Sequence, residues 1–205
     1  MNALTTRLLR GIGVLAASGT TFGVVVLWRV QPEGHAASAK TSGVKEIARL
    51  GRHNGVIVRL SFSRSGNYLC SASDDRTIKV WKRAAERDEY SLHRSFDGPT
   101  RVWDCAILDA IDSSQGACSL YSSGEDGICR IYDLRSGDLQ STMKGHLGCV
   151  WRTALANTTR LVATAGEDST IKIWPIVEGG ETQNDADTCR WLCSIGNECP
   201  GEETR

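Results

Sequence analysis

Residues 70–81 read CSASDDRTIKVW, residues 121–132 read YSSGEDGICRIY and residues 163–174 read ATAGEDSTIKIW. Each stretch carries a small hydroxylated residue, an acidic turn and an alternating run that ends in an aromatic. Aligned on the turn aspartates Asp75, Asp126 and Asp168, the closing aromatics Trp81, Tyr132 and Trp174 all fall six positions later. A related run, VVVLW at 24–28, closes on Trp28, and successive closing aromatics are 53, 51 and 42 residues apart. Such a period marks a repeat architecture, in which one unit cannot bury its apolar face alone and must stack on its neighbours. The 21 glycines, 4 prolines and recurrent Thr, Val and Ile suit short strands joined by tight turns, so an all-β chain is expected.

Working outward, the charge is balanced, with 24 Lys plus Arg against 24 Asp plus Glu, and the whole-chain field does not call for a polyanionic partner. Most of the eight cysteines lie in or beside apolar runs, where a reduced thiol serves as a small hydrophobe; no secretory signal stands out, so a reducing, cytoplasmic setting is expected. The tail cysteines Cys189, Cys193 and Cys199 have no fourth ligand nearby, the histidines standing at 35, 53, 93 and 146, so no metal site is expected. The uncharged run from Gly11 to Trp28 has the length of a membrane anchor. Its glycines and hydroxylated residues split it into two strand-sized pieces, Val14 to Ala17 and Val24 to Trp28, and no membrane partner is expected.

His53 precedes Asp75 by 22 residues, and His146 precedes Asp168 by the same 22. With these offsets the chain resembles the WD-repeat family, named for a Gly-His pair early in each unit and a Trp-Asp pair at its end. Gly145-His146 keeps the first pair, Arg52-His53 keeps its histidine, and Asp97-Gly98 has lost it; Tyr132-Asp133 keeps the second, while Trp28, Trp81 and Trp174 keep the aromatic alone. The resemblance implies a β-propeller in which histidine, a strand hydroxyl, the turn aspartate and the tryptophan nitrogen bond one another. By position these are His53, Ser71, Asp75 and Trp81 in one unit and His146, Thr164, Asp168 and Trp174 in another, with Ser122 and Asp126 in the unit between. Histidine, aspartate and serine also spell a catalytic triad, but a catalytic constellation occurs once, at a pocket, whereas this one recurs at fixed offsets.

Four units are expected: a partial one at 8–30, then 47–83, 91–134 and 139–176, with 31–46 as a polar connection and 177–205 as an irregular or disordered tail. Four are fewer than closed rings of this family commonly hold, so the expectation is an incomplete ring belonging to a longer protein, or two chains assembling into one ring.

No phosphate-binding GxxxxGK and no nucleophile elbow occurs, so a non-catalytic scaffold without cofactor is expected. The segments GTTFGVVVLW (19–28), HNGVIVRLSF (53–62), TRVWDCAIL (100–108), SSGEDGICRIYDLRSGDL (122–139) and GHLGCVWRTA (145–154) resemble successive blades of the WD repeat-containing protein 6 family. That resemblance implies an accessory subunit that holds a separate tRNA methyltransferase subunit and supports methylation of the wobble ribose 2′-hydroxyl, with tRNA reached through the complex. The competing reading is a generic protein-interaction propeller, such as a ubiquitin-ligase or signalling adaptor. Candidate partner contacts are Arg59, Arg101, Trp103, Trp151 and Arg152, near the starts of the expected innermost strands, since Arg and exposed aromatics are enriched in interface hot spots.

Overall fold

A computed structural model describes residues 4–9, 13–30, 43–84, 89–109, 118–156, 160–176, 188–189 and 191–196. Seventeen strands and no helix occur among them. The first sheet holds β1 (Leu4–Leu9), β2 (Gly13–Gly19), β3 (Val24–Val30) and β4 (Val44–Arg52); the second holds β5 (Ile57–Phe62), β6 (Tyr68–Ser73), β7 (Thr77–Arg83) and β8 (Tyr90–Asp97). The third has β9 (Val102–Leu108), β10 (Ser119–Gly124), β11 (Ile128–Asp133) and β12 (Leu139–Lys144), and the fourth β13 (Val150–Ala156), β14 (Leu161–Gly166) and β15 (Thr170–Pro175). Two tail strands complete them: β16 (Thr188–Cys189) runs parallel on the edge of β12, and β17 (Cys193–Gly196) antiparallel on β15. These are four antiparallel blades of a β-propeller, apart from the parallel β16.

The blades meet through their first strands, β1 on β5, β5 on β9 and β9 on β13. Burial follows this order. In β6 and β10 five of six residues are buried, whereas the outer β8 is mostly exposed. A strand covered by sheets on both sides has no polar face to alternate, which is why β6 and β10 carry Cys, Ser, Ala and Leu in unbroken runs. The apolar core is three seams between blades. One joins Leu15, Leu27, Ile57 and Trp81; the next Cys70, Val80, Cys105 and Tyr132; the third Tyr121, Met143, Val150 and Trp174.

From the second blade on, the closing aromatic faces the outer strand of the preceding blade. Phe96 of β8 and Tyr132 have ring centroids 5.0 Å apart, and a Cβ on Gly51 of β4 would stand 3.2 Å from the Trp81 ring. This packing explains why the sequence repeat and the sheet are out of phase. The units read at 47–83, 91–134 and 139–176 each begin on the outer strand of one blade and run through three strands of the next.

Two expectations are corrected. The first blade is not incomplete, because the segment read as a polar connection ends in β4, which closes a four-stranded sheet and whose apolar alternation is weak since an outer strand buries little. Residues 177–205 are not wholly irregular either, since β16 and β17 pair with exposed edges; backbone groups gain there from pairing even without an apolar pattern. Of the run Gly11 to Trp28, weighed as an anchor, the described residues from Gly13 onward lie in β2, the turn after it and β3, and no helix of the described residues is long and apolar enough to cross a membrane.

The turn between second and third strands repeats in all four blades. Gly23, Arg76, Gly127 and Ser169, each five residues before the closing aromatic, have φ of 78°, 70°, 74° and 61°. The left-handed residue turns its carbonyl towards the entry to the next blade, where His53 donates its amide to Gly23 at 2.8 Å and Gly98 donates to Arg76 at 2.7 Å. A Cβ at Gly23 would lie 2.2 Å from the His53 carbonyl oxygen. Gly23→Ala is therefore expected to lower stability by roughly 1–3 kcal/mol. Ser169→Gly, which relieves the same conformation, is expected to raise it by up to about 1 kcal/mol. Urea midpoints of the two variants should move in opposite directions.

Candidate functional site

Where the chain enters β5, the His53 ring sits between β6 and β7. Its Nε2 is 2.7 Å from the Ser71 hydroxyl, and its Nδ1 is 2.8 Å from the Thr77 hydroxyl and 3.3 Å from Asp75. Trp81 donates its ring N–H to Ser71 at 3.4 Å. Asp75 also accepts the Asn54 amide at 2.7 Å and the Thr77 amide and hydroxyl at 2.9 and 2.7 Å. The fourth blade repeats the pattern, with a shorter tryptophan–hydroxyl bond and a shorter histidine–aspartate contact. Trp174 donates to Thr164 at 2.8 Å, Thr164 is 2.8 Å from His146 Nε2, and His146 Nδ1 is 2.9 Å from Asp168, which accepts Leu147 and Thr170 amides and the Thr170 hydroxyl. With the ring proton on Nδ1, each donor finds one acceptor along the chain tryptophan, hydroxyl, histidine, carboxylate.

The third blade departs from this. Gly98 stands at the histidine position, and Asp126 instead holds Arg130, four residues on, at 2.5 Å; Ser122 donates to the Arg130 carbonyl at 3.5 Å. In the first blade Phe22 replaces the aspartate and only the inner half survives, with Trp28 donating to Ser18 at 2.8 Å. Sequence reading missed Ser18, Thr77 and Thr170. The signal for Ser18 is its place ten residues before Trp28, as Ser71, Ser122 and Thr164 stand before their own aromatics.

These bonds set the titration of the turns. Burial works against the charged forms of Asp75 and Asp168, but the Thr77 and Thr170 hydroxyls and amides outweigh it; Asp75 lies below its ordinary range and Asp168 is held down to about 2. Burial lowers His53, only partly opposed by the Asp75 charge. All three folded values are depressed, so the unfolded chain binds more protons and stability falls as pH falls. The His53 contribution is lost below about pH 6.5 and the Asp168 contribution between about pH 4 and pH 2. Thermal midpoints should decline between pH 8 and pH 5, and His53→Gln should flatten that slope.

At the same end of the blades, the first strands carry a repeated bulge. Ile57, Val102 and Val150 pair in register, the next residue, Val58, Trp103 or Trp151, is the extra one, and pairing resumes at Arg59, Asp104 and Arg152. A bulge re-aims the side chain at the irregularity. The Trp103 and Trp151 rings, from adjacent blades, come together with centroids 4.9 Å apart and planes at 56°. Trp151 is 41 % exposed, and the Trp103 ring N–H is buried without a hydrogen-bond partner.

Asp104, one residue beyond Trp103, joins three blades. It accepts the Thr153 amide at 2.9 Å and the Cys105 amide at 2.8 Å, and it stands 2.9 Å from Arg59 Nε. The Arg59 contact is not aligned for a hydrogen bond, so the attraction there is Coulombic. Burial pushes the Asp104 carboxyl up, against the Thr153 amide and the Arg59 and Arg152 charges. Arg101, just ahead of β9, and Arg152 are exposed. The structure thus brings Arg59, Trp103, Trp151 and Arg152 onto equivalent stretches of successive inner strands, with Arg101 beside them. Asp104 was missed by sequence reading, although Ile-Val-Arg, Val-Trp-Asp and Val-Trp-Arg align it with the two arginines.

Among the described residues no group of His, Cys, Asp and Glu could hold a metal ion. Cys193 is exposed on β17, while Cys199 and the Cys189 side chain lie outside the described residues.

The family model of the WD domain, G-beta repeat, matches residues 44–82 and 137–175. Both matches begin on or just before an outer strand and end one residue past a closing aromatic. Over these two stretches the chain matches the WD40 repeat. Of curated proteins, the chain is 29% identical over 149 residues to the tRNA (34-2'-O)-methyltransferase regulator WDR6 of Homo sapiens, covering 70% of this chain and 12% of that protein. The Bos taurus regulator is 30% identical over 137 residues, 64% of this chain and 11% of that protein. The Chromatin assembly factor 1 subunit FAS2 homolog of Oryza sativa subsp. japonica is 28% identical over 150 residues, 70% of this chain and 28% of its own length. The chain therefore spans about an eighth of the length of the regulators it resembles.

Proposed function

We propose that this chain is a non-catalytic scaffold of the cytoplasm that holds a tRNA methyltransferase catalytic subunit and so supports 2′-O-ribose methylation at the anticodon wobble position. The observation that carries the reading is the similarity to methyltransferase regulators over 70% of the chain. The geometry is consistent with it. The histidine–aspartate pairs are spent on holding turns, with both partners bonded and no free nucleophile between them, and the repeated inner strands present arginine and tryptophan outward. Partner contact through Arg59, Arg101, Trp103, Trp151 and Arg152 is part of this proposal, and tRNA is reached through the complex.

The experiment is affinity purification of the tagged protein, with wobble-ribose methylation measured in cells that lack it. A co-purifying methyltransferase subunit and loss of the methyl group are expected. A different partner with unchanged methylation would overturn the proposal in favour of a general protein-interaction propeller, the reading favoured by the comparable similarity to a chromatin assembly factor subunit.

A further inference from the structure

At the starts of the inner strands, the side chains around the tryptophan pair that are left without a hydrogen-bond partner are donors. Arg101 and Arg152 are exposed and make no side-chain hydrogen bond or ion pair among the described residues, and Arg59 is partly exposed and attached to Asp104 on one side only. The buried Trp103 ring N–H has no acceptor. The carboxylates at this end are largely occupied: Asp75 and Asp168 hold their turns, Asp126 holds Arg130, and Glu167 accepts the Cys149 amide. Asp74, Asp97 and Glu125 are not engaged, but they lie on turns and an outer strand rather than on the inner strands. On the same strands the Trp151 side chain is exposed, at 41 %. A donor-rich cluster beside an exposed aromatic ring is complementary to carboxylates interleaved with apolar side chains.

We infer that the inner-strand face formed by Arg59, Arg101, Trp103, Trp151 and Arg152 docks an acidic peptide segment of a protein partner, and that Asp104 is the built-in competitor for Arg59. This rests on the scaffold reading above and adds the chemistry of the partner. An acidic peptide fits better than a nucleic-acid strand, because the chain is neutral overall and offers only two unpaired guanidinium groups here, not a track along a phosphate backbone. Arg59 is held by a misaligned Coulombic contact, so a peptide carboxylate that aligns with it gains a bond that Asp104 does not make.

The test is fluorescence anisotropy of the whole protein with a labelled short peptide alternating Glu with Leu, its Lys–Leu counterpart, and single-stranded oligouridylate. Binding of the Glu–Leu peptide is expected, with Arg101→Glu and Arg152→Glu each weakening it about tenfold. Asp104→Asn is expected to tighten it a few-fold while lowering the thermal midpoint, a pair of opposite effects that a purely structural Asp104 would not produce. Should Asp104→Asn fail to fold, the two exposed arginine variants decide alone. Equal binding of the Lys–Leu peptide, no effect of either arginine variant, or tighter binding of oligouridylate would overturn the inference. If the peptide fails while a methyltransferase subunit still co-purifies, this docking face is wrong and the scaffold reading stands; peptide binding without that subunit has the reverse meaning.

Discussion

Chemical denaturation of the Asp168→Ala variant is expected to show a loss of about 2–4 kcal/mol. The carboxylate is almost wholly enclosed, with 4 % of its side chain exposed, and four donors converge on it: the His146 ring, the Thr170 hydroxyl, and the Leu147 and Thr170 amides. Alanine would leave them without an acceptor in a place water reaches poorly, and the desolvation cost of stranded donors exceeds the net value of the bonds themselves. The comparison that gives the experiment its force is Asp126→Ala, at the same repeat position. Asp126 is more open, and its main partner Arg130 can turn to solvent, so a loss of about 1 kcal/mol or less is expected. Equal losses at the two sites would show that the histidine does not set the strength of the turn.

Trp81→Ala is expected to cost still more, about 3–5 kcal/mol, judged from the midpoint and slope of the same denaturation curve. The side chain is 2 % exposed and fills the seam between the first and second blades, against Gly51 and with Leu50, Leu69 and Tyr90 in the same cluster. Its loss opens a cavity in a seam where only two thin sheets meet, with no further layer to fill it. It also removes the donor to Ser71, which weakens the chain through His53. Trp28→Ala is the control. Trp28 makes the equivalent bond to Ser18 but is only half-buried, and a loss of about 1–2 kcal/mol is expected there.

Much of this was readable from particular residues. The six-residue step from Asp75 to Trp81 and from Asp168 to Trp174, with the two histidines 22 residues upstream, carried the resemblance to WD repeats, and that resemblance implied the hydrogen-bonded turn. What could not be read was how the third blade manages without a histidine. Arg130 occupies the place of Lys79 and Lys172, and nothing in its spacing distinguishes a basic residue that reaches back to the turn from one that points to solvent. The outer strands were equally silent. β4 and β17 bury little, so they bear no alternation, and their existence follows from the edge they pair with rather than from their own residues.

Local chemistry written along the chain was enough to specify the repeated blade, its left-handed turn and the polar chain that clamps it, because all of these link residues at most 24 positions apart around one blade. The juxtaposition of Trp103 with Trp151, and the single carboxylate of Asp104 shared among three blades, belong to folding at a larger scale. Those contacts join residues 45 or more positions apart, and they exist only because stacking the blades brings the second and third residues of successive inner strands to the same end.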